Sequence, residues 1–543
     1  MEVQKPHNWI LLLLKDLRLL HRAIDQPSPI ATPDPSGYVK RIMLMRGLNT
    51  SLMKQGTRTQ QLVTSLRESI VDKPPYISGT LKLPESYLSL FYKISKGDDA
   101  ARSGEPLTLR ALLNTFFSRH RYINLANATP EKLEQLAQAC EPASFGLKRE
   151  CVLDESYRKA GKMDSECFSS KLDLSHTDLM NIIRGYLLEG TQSTNNVKTE
   201  LCKLNVYSTH LFHIYLYLIL RYRPGEGSFF KPHVDTPRSD KMFGSLVIVF
   251  PSPHEGGALL LRHRNQEWTF DSGEALAATE DQLSIGYVAF FSDIEHEVTP
   301  VTSGHRITLT YNLYFDDGGP VSPNDAVSEH LISPKLPNQA RFREAFAALL
   351  ENPEFLADGG TLAFGLRHVY PIKNDLKHVY KILKGSDAVV YQSVLALGYE
   401  PVLYVYYGDR GVMIDKVVDF SNWMESFCSQ EGPQIDDVVQ MEGGVLVHPE
   451  GVPISYYPYM EVDVPEGVEW VTPVTEFNRK SDAVVIGYAG NEPAMDWAYG
   501  DVCLVVRVGK AGDRLAYRMV AQLEKAYEDS DRRAQLGSRF DYY

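Results

Sequence analysis

Cysteine is scarce in this chain. There are six in 543 residues, Cys140, Cys151, Cys167, Cys202, Cys428 and Cys503, and none form a Cys-x-x-Cys pair. That fits a reducing compartment better than a disulfide-stapled secreted protein. Long apolar runs are also missing. The run at residues 10–14 stops at Lys15-Asp16, and residues 211–220 are too short to cross a bilayer. Neither a signal peptide nor a membrane span is expected, so the expected location is cytoplasmic or nuclear. Positive charge is in deficit: 56 Lys and Arg against 69 Asp and Glu give a net charge of −13 and a pI near 5.7. This argues against general nucleic-acid or membrane-surface binding. There is no tandem repeat.

What is present is apolar mass, 43% of residues, enough for real cores in two to four domains. Residues 1–72 read as a helical N-terminal region interrupted by a Pro-rich linker at 25–38. Residues 73–316 read as the main domain, with a core at about 198–316. A Gly/Pro/Asp-rich linker over 316–335 leads to a C-terminal mixed α/β region, 336–543. Within the main domain, helices are expected over 107–118, 129–140 and 176–188. Residues 143–146 look like a first strand, and 154–164, charged and Gly-broken, like a solvated connector. His254 and His263 read as surface histidines.

The chemistry concentrates between residues 229 and 312. His233 and Asp235 are two apart among strand residues, and on a strand such residues face the same way. The pairing alone is weak evidence. Fifteen His in a chain where 69 of 543 residues are acidic give roughly two His-x-acid pairs by chance, and there are three. His176/Asp178 opens a helix, where residues two apart point about 200° from each other. His448/Glu450 has no histidine after it. Only His233/Asp235 sits among strand residues with a later His, at 296, and then an Arg, at 306. Two imidazoles and one carboxylate leave positions open on a metal and suit non-haem Fe(II). Beyond a turn at 302–305, Arg306, Thr308, Thr310 and Asn312 alternate with Ile307, Leu309, Tyr311 and Leu313. This predicts a strand with one polar face, lining a cavity, and one apolar face. An arginine in such a recess is the natural partner of a carboxylate, and the Thr308 hydroxyl could add a bond to it.

The stretch Phe229-Phe230-Lys231-Pro232-His233-Val234-Asp235-Thr236, then Glu255-Gly256-Gly257, His296 and Arg306, resembles the Fe(II)/2-oxoglutarate-dependent dioxygenases, in their prolyl 4-hydroxylase-like branch. The resemblance covers roughly residues 130–320. It implies an α+β protein: a double-stranded β-helix (jelly-roll) core with flanking helices, plus the C-terminal mixed α/β region. It implies Fe(II) on His233, Asp235 and His296, with 2-oxoglutarate on Arg306, dioxygen as co-reactant and L-ascorbate as reductant. The substrate would be a protein side chain such as prolyl, or a small molecule. Collagen-type prolyl hydroxylases use Lys where this chain has Arg306, so the resemblance does not extend to a collagen substrate. Related enzymes carry a Tyr before the Gly-containing turn that leads to the His-x-Asp strand. Tyr207 and Tyr222 both qualify, because the apolar segment 208–223 looks like an insertion. Two other readings stay open at this point: a jelly-roll binding module without turnover, and a cupin-type metal enzyme that needs no keto acid.

Overall fold

The computed structural model describes residues 60–94, 120–147, 150–154, 156–188, 195–209, 227–279, 283–320, 337–420, 435–447, 467–489 and 492–514. Residues 62–543 form one compact unit. The expected N-terminal helices before residue 60, the helix at 107–118, most of the 208–223 segment with Tyr222, and His448/Glu450 lie outside the described residues.

Two facing sheets carry the chemistry-bearing stretch. Their strands are β1 (Tyr76–Lys82), β2 (Arg158–Lys159), β3 (Gly161–Asp164), β4 (Asn195–Ser208), β5 (Phe229–His233), β6 (Met242–Val249), β7 (Leu259–His263), β8 (Gln266–Phe270), β9 (Ser284–Phe291), β10 (Glu295–Val298) and β11 (Val301–Pro320). The first sheet runs β1-β9-β6-β11-β4-β3, and the second β8-β7-β10-β5-β2. From β4 to β6, and again from β8 to β11, the chain alternates between them. The pairings are antiparallel.

The residue pattern explains the layering. In β11 the apolar set Ile307, Leu309, Tyr311 and Leu313 is buried in the main core, and its polar set is buried too, at Arg306, Thr308 and Asn312. One face therefore packs on hydrophobic neighbours while the other looks into the space between the sheets. Each fully buried apolar side chain of this kind contributes roughly 1.5–3 kcal/mol. The helix Leu179–Leu187 covers the outside and buries Leu179, Ile183 and Leu187, a stripe at four-residue spacing.

Four expectations are corrected. Residues 154–164 are no solvated connector: β2 pairs with β5, and Arg158 and Lys159 are 3% and 6% exposed. Residues 145–147 form only a small hairpin with 150–152, and the sheet instead gains its edge from β1, paired with β9. The 302–305 turn lies inside β11, where Gly304 at φ 72 lets the strand continue alongside His254. The linker begins later than expected, because β11 runs on to Pro320.

The C-terminal region holds both strands and helices. A seven-stranded, mostly antiparallel sheet packs with the helices Pro337–Glu351 and Gly385–Ala396 around a second core. Val63, Leu66 and Ile70, from the helical residues 62–69 and the bend that follows, pack into that second core.

Candidate metal centre

β5 and β10 are neighbours, and their register places His233 directly opposite His296. The two imidazole centroids are 4.2 Å apart. Asp235 lies just past the end of β5, its Oδ1 4.0 Å from His296 Nε2. One donor atom from each of the three lies within 4.8 Å of the others. The local backbone dictates which nitrogen faces inward. His233 Nδ1 donates to the Lys231 carbonyl at 2.9 Å, and His296 Nδ1 donates to the Ile294 carbonyl at 3.0 Å. Each ring thereby keeps its Nε2 free, the tautomer a metal requires. The rings are fixed from the side as well. Phe230 stacks on His233 at 3.6 Å, and the Arg158 guanidinium sits 4.3 Å over Phe230.

Electrostatics favours the ligand forms. Burial and the neighbouring His296 push His233 down to about 3, so it is a neutral imidazole at neutral pH. Burial pushes the Asp235 carboxyl up, but His296, a hydrogen bond from Ser245 and His233 together outweigh it and hold it below its usual range. The Ser245 hydroxyl donates to Asp235 Oδ2 at 2.5 Å. Two imidazoles and an ionised carboxylate, oriented by backbone carbonyls and a hydroxyl, form a donor set that fits Fe(II).

Arg306 is 1% exposed and faces inward from β11. Its Nε donates to Ser272 Oγ at 3.3 Å; Ser272 also bonds His254 Nε2 at 3.0 Å, and His254 Nδ1 donates to the Ser252 carbonyl at 2.8 Å. His254 is thus a half-buried support for the arginine, not a surface residue. Arg306 Nη2 is buried with no hydrogen-bond partner among the described residues. A buried guanidinium donor without an acceptor is costly. It is the kind of vacancy that the carboxylate of an acidic cosubstrate fills. Gly257 makes room for the arginine: at φ 69, a Cβ there would lie 2.7 Å from Arg306 Cδ and from Val301 Cγ2.

Tyr207 is the cross-strand partner of Arg306, with the guanidinium carbon 5.4 Å from its ring. Ser208 and Ser228 are hydrogen-bonded to each other, so the chain leaves and re-enters the sheet system at one point. Tyr222, in the intervening segment, lies outside the described residues. Thr308 is buried beyond Arg306 on the same face. Thr310 accepts from Asn205 Nδ2 at 3.2 Å, and Asn205 accepts from Arg158 at 2.8 Å. A chain of contacts thus runs from the arginine's strand face to the His233 ring. Sequence reasoning missed Ser245, Asn205 and Arg158. Only Ser245 left a trace, as the single hydroxyl inside the apolar run 242–250.

Residues 217–314 match the family model described as the 2OG-Fe(II) oxygenase superfamily. The chain carries a 2OG-Fe(II) oxygenase domain. Iron and 2-oxoglutarate are the cofactor and cosubstrate that this family implies, and the domain is an oxidoreductase of the dioxygenase class. No curated protein matches the chain. Among solved structures it is similar to a prolyl-4-hydroxylase from Pseudomonas putida, at 14% identity over 47% of this chain and 98% of that one, TM-score 0.24. It is also similar to a 2OG-Fe(II) oxygenase-family oxidoreductase from Burkholderia pseudomallei, at 16% identity over 35% and 82%, TM-score 0.20. A third is a prolyl 4-hydroxylase from Phytophthora capsici, at 19% identity over 33% and 54%, TM-score 0.16. No helix among the described residues is long and apolar enough to cross a membrane.

Proposed function

We propose that this chain is an Fe(II)- and 2-oxoglutarate-dependent hydroxylase, with His233, Asp235 and His296 as the iron ligands and Arg306 as the anchor of 2-oxoglutarate. The alternation of β4 to β6, and of β8 to β11, between two sheets supports reading the core as a double-stranded β-helix. The observation that carries the proposal is the pairing of a metal-competent triad with a buried arginine that has a donor to spare. A cupin-type enzyme without a keto acid has no use for that donor.

Iron, when bound, supplies the redox chemistry that couples decarboxylation of 2-oxoglutarate to succinate with hydroxylation of a C–H bond by dioxygen. The protein's part is positional. Backbone carbonyls 231 and 294 lock both imidazoles in the metal-binding tautomer. Ser245 holds the Asp235 carboxylate in one orientation. Arg306 pairs with the distal carboxylate of the keto acid, and the Tyr207 and Thr308 hydroxyls are the candidates to complete that pocket. Tyr222 is the less favoured tyrosine. L-ascorbate serves as external reductant. The hydroxylated group is a protein side chain such as prolyl, or a small molecule.

The test is succinate formation by the full chain with Fe(II), 2-oxoglutarate and ascorbate. Turnover lost in Asp235→Ala supports the proposal. Clean protein that binds no iron and forms no succinate favours a binding module. Activity that survives Arg306→Ala favours an enzyme needing no keto acid. Comparing peptide and metabolite pools exposed to wild type and to Asp235→Ala for a gain of one oxygen identifies the substrate.

A further inference from the structure

A cavity of about 190 Å³ lies where residues 71–75, the β7–β8 hairpin and the C-terminal region meet, and its lining shares no residue with the triad. One side of it is built as an oxyanion clamp. Asp72 accepts from Arg264 Nη1 at 2.5 Å, from Arg367 Nη1 at 2.5 Å and from Ser386 Oγ at 2.9 Å. Ser386 lies in the first turn of the helix Gly385–Ala396, whose dipole also favours an anion.

The clamp has capacity left over. A guanidinium has five N–H donors. Arg264 and Arg367 each spend only Nη1, and their remaining donors have no hydrogen-bond partner among the described residues. The Arg367 side chain is only 11% exposed and that of Arg264 36%. His368 is 5% exposed. Its Nδ1 donates to Asp293 at 3.0 Å, and its ring lies beside Gly385 in the cavity wall. The formal charge of the lining, counting Lys73, Arg264 and Arg367 against Asp72, is 3 − 1 = +2.

The other walls are flat and apolar: Trp268, Tyr186, Phe291 and His263, the last stacked on His368 at 5.0 Å and 11°. Burial, with His368 beside it, pushes His263 down to about 4, so it enters this wall as a neutral ring. Size narrows the occupant. A dry cavity of about 150 Å³ accepts benzene; this one holds a single ring with a small charged substituent.

We propose that this cavity binds a flat, one-ring carboxylic acid, with its carboxylate on the spare donors of Arg264 and Arg367 and its ring between Trp268 and the His263–His368 stack. Asp72 is then an internal carboxylate that takes part of the same clamp and weakens the site. This goes beyond the oxygenase reading and does not depend on it.

Isothermal titration of the full chain tests it, with benzoate as probe, benzyl alcohol as the uncharged control and inorganic phosphate as the ringless anion. The expected result is one saturable benzoate site per chain, weakened at least tenfold in Arg367→Met and in the more exposed Arg264→Met. Asp72→Asn, which frees the clamp, should bind several-fold tighter. Benzoate binding should be unchanged in Arg306→Met and by added 2-oxoglutarate. No saturable benzoate binding in either wild type or Asp72→Asn overturns the proposal. So does phosphate or benzyl alcohol binding as well as benzoate, or benzoate binding abolished by Arg306→Met.

Discussion

Replacing Arg306 with Met should stabilise the protein when no cosubstrate is present and remove the stabilisation that added cosubstrate gives wild type. The guanidinium is 1% exposed, makes one long bond to Ser272 and leaves Nη2 unpartnered. Burial already works against its charge, offset in part by Tyr207 and Asp271. Exchanging such a cation for an apolar side chain of similar length commonly gains about 1–3 kcal/mol. In wild type, 2-oxoglutarate at a hundredfold excess over its Kd adds about 2.7 kcal/mol to the folded state. For a unit of this size, with an unfolding entropy of about 2 cal/mol/K per residue, 1 kcal/mol moves Tm by about 1 °C. Differential scanning calorimetry of both proteins, loaded with Fe(II) anaerobically, with and without 2-oxoglutarate, reads both terms. Wild type should gain about 3 °C from the keto acid. Arg306→Met should start higher and gain almost nothing. An apo Arg306→Met that melts well below wild type, or one fully protected by 2-oxoglutarate, would refute the reading of Arg306 as an anchor waiting for a carboxylate.

Other outcomes follow from named contacts. Ser245→Ala frees the Asp235 carboxylate to rotate, and anaerobic Fe(II) titration should show affinity lower by about 10–100-fold with the fold intact. Gly257→Ala forces a methyl against Arg306 Cδ at positive φ; it should cost about 1–3 kcal/mol and raise the KM for 2-oxoglutarate more than it lowers kcat. Lys384→Met leaves Asp293, 4% exposed and otherwise bonded to His368 and the Val369 amide, without its cation. Thermal unfolding should show a loss of about 3–5 kcal/mol, much of it restored by adding Asp293→Leu. His263 has its folded pKa depressed, so it contributes stability above about pH 6.5 that falls away toward pH 4. His263→Phe should flatten the stability profile of the metal-free protein across that window, by less than about 1 kcal/mol per pH unit because the ring is partly solvated.

The site's outline was legible because its signals are local. The two-residue spacing of His233 and Asp235 points both at one place, although β5 ends at His233 and Asp235 follows it; Gly256-Gly257 marks a turn, and the polar/apolar pattern of 306–313 fixes which face Arg306 takes. Even the pairing of His233 with His296 follows once their strands are neighbours. What could not be read depends on pairings between distant residues. Arg158 and Lys159 look solvated in a charged stretch, and only their pairing with Phe229 and Phe230 buries them. The carboxylate of Asp293 meets Lys384 91 residues later in the chain, with no local pattern to announce it. His254 and His263 have no carboxylate spaced to suit a ligand, and the sequence alone places them at the surface. Their partners turned out to be a serine and another imidazole, which leave no spacing signature.

The most direct measurement is the iron stoichiometry of the full chain under anaerobic equilibrium dialysis. The account predicts one Fe(II) per chain in wild type, and a folded His296→Ala protein that holds essentially none at the same free metal concentration. Wild-type protein that takes up no iron, or a His296→Ala variant that binds it as tightly, would contradict the assignment of the three side chains to one metal.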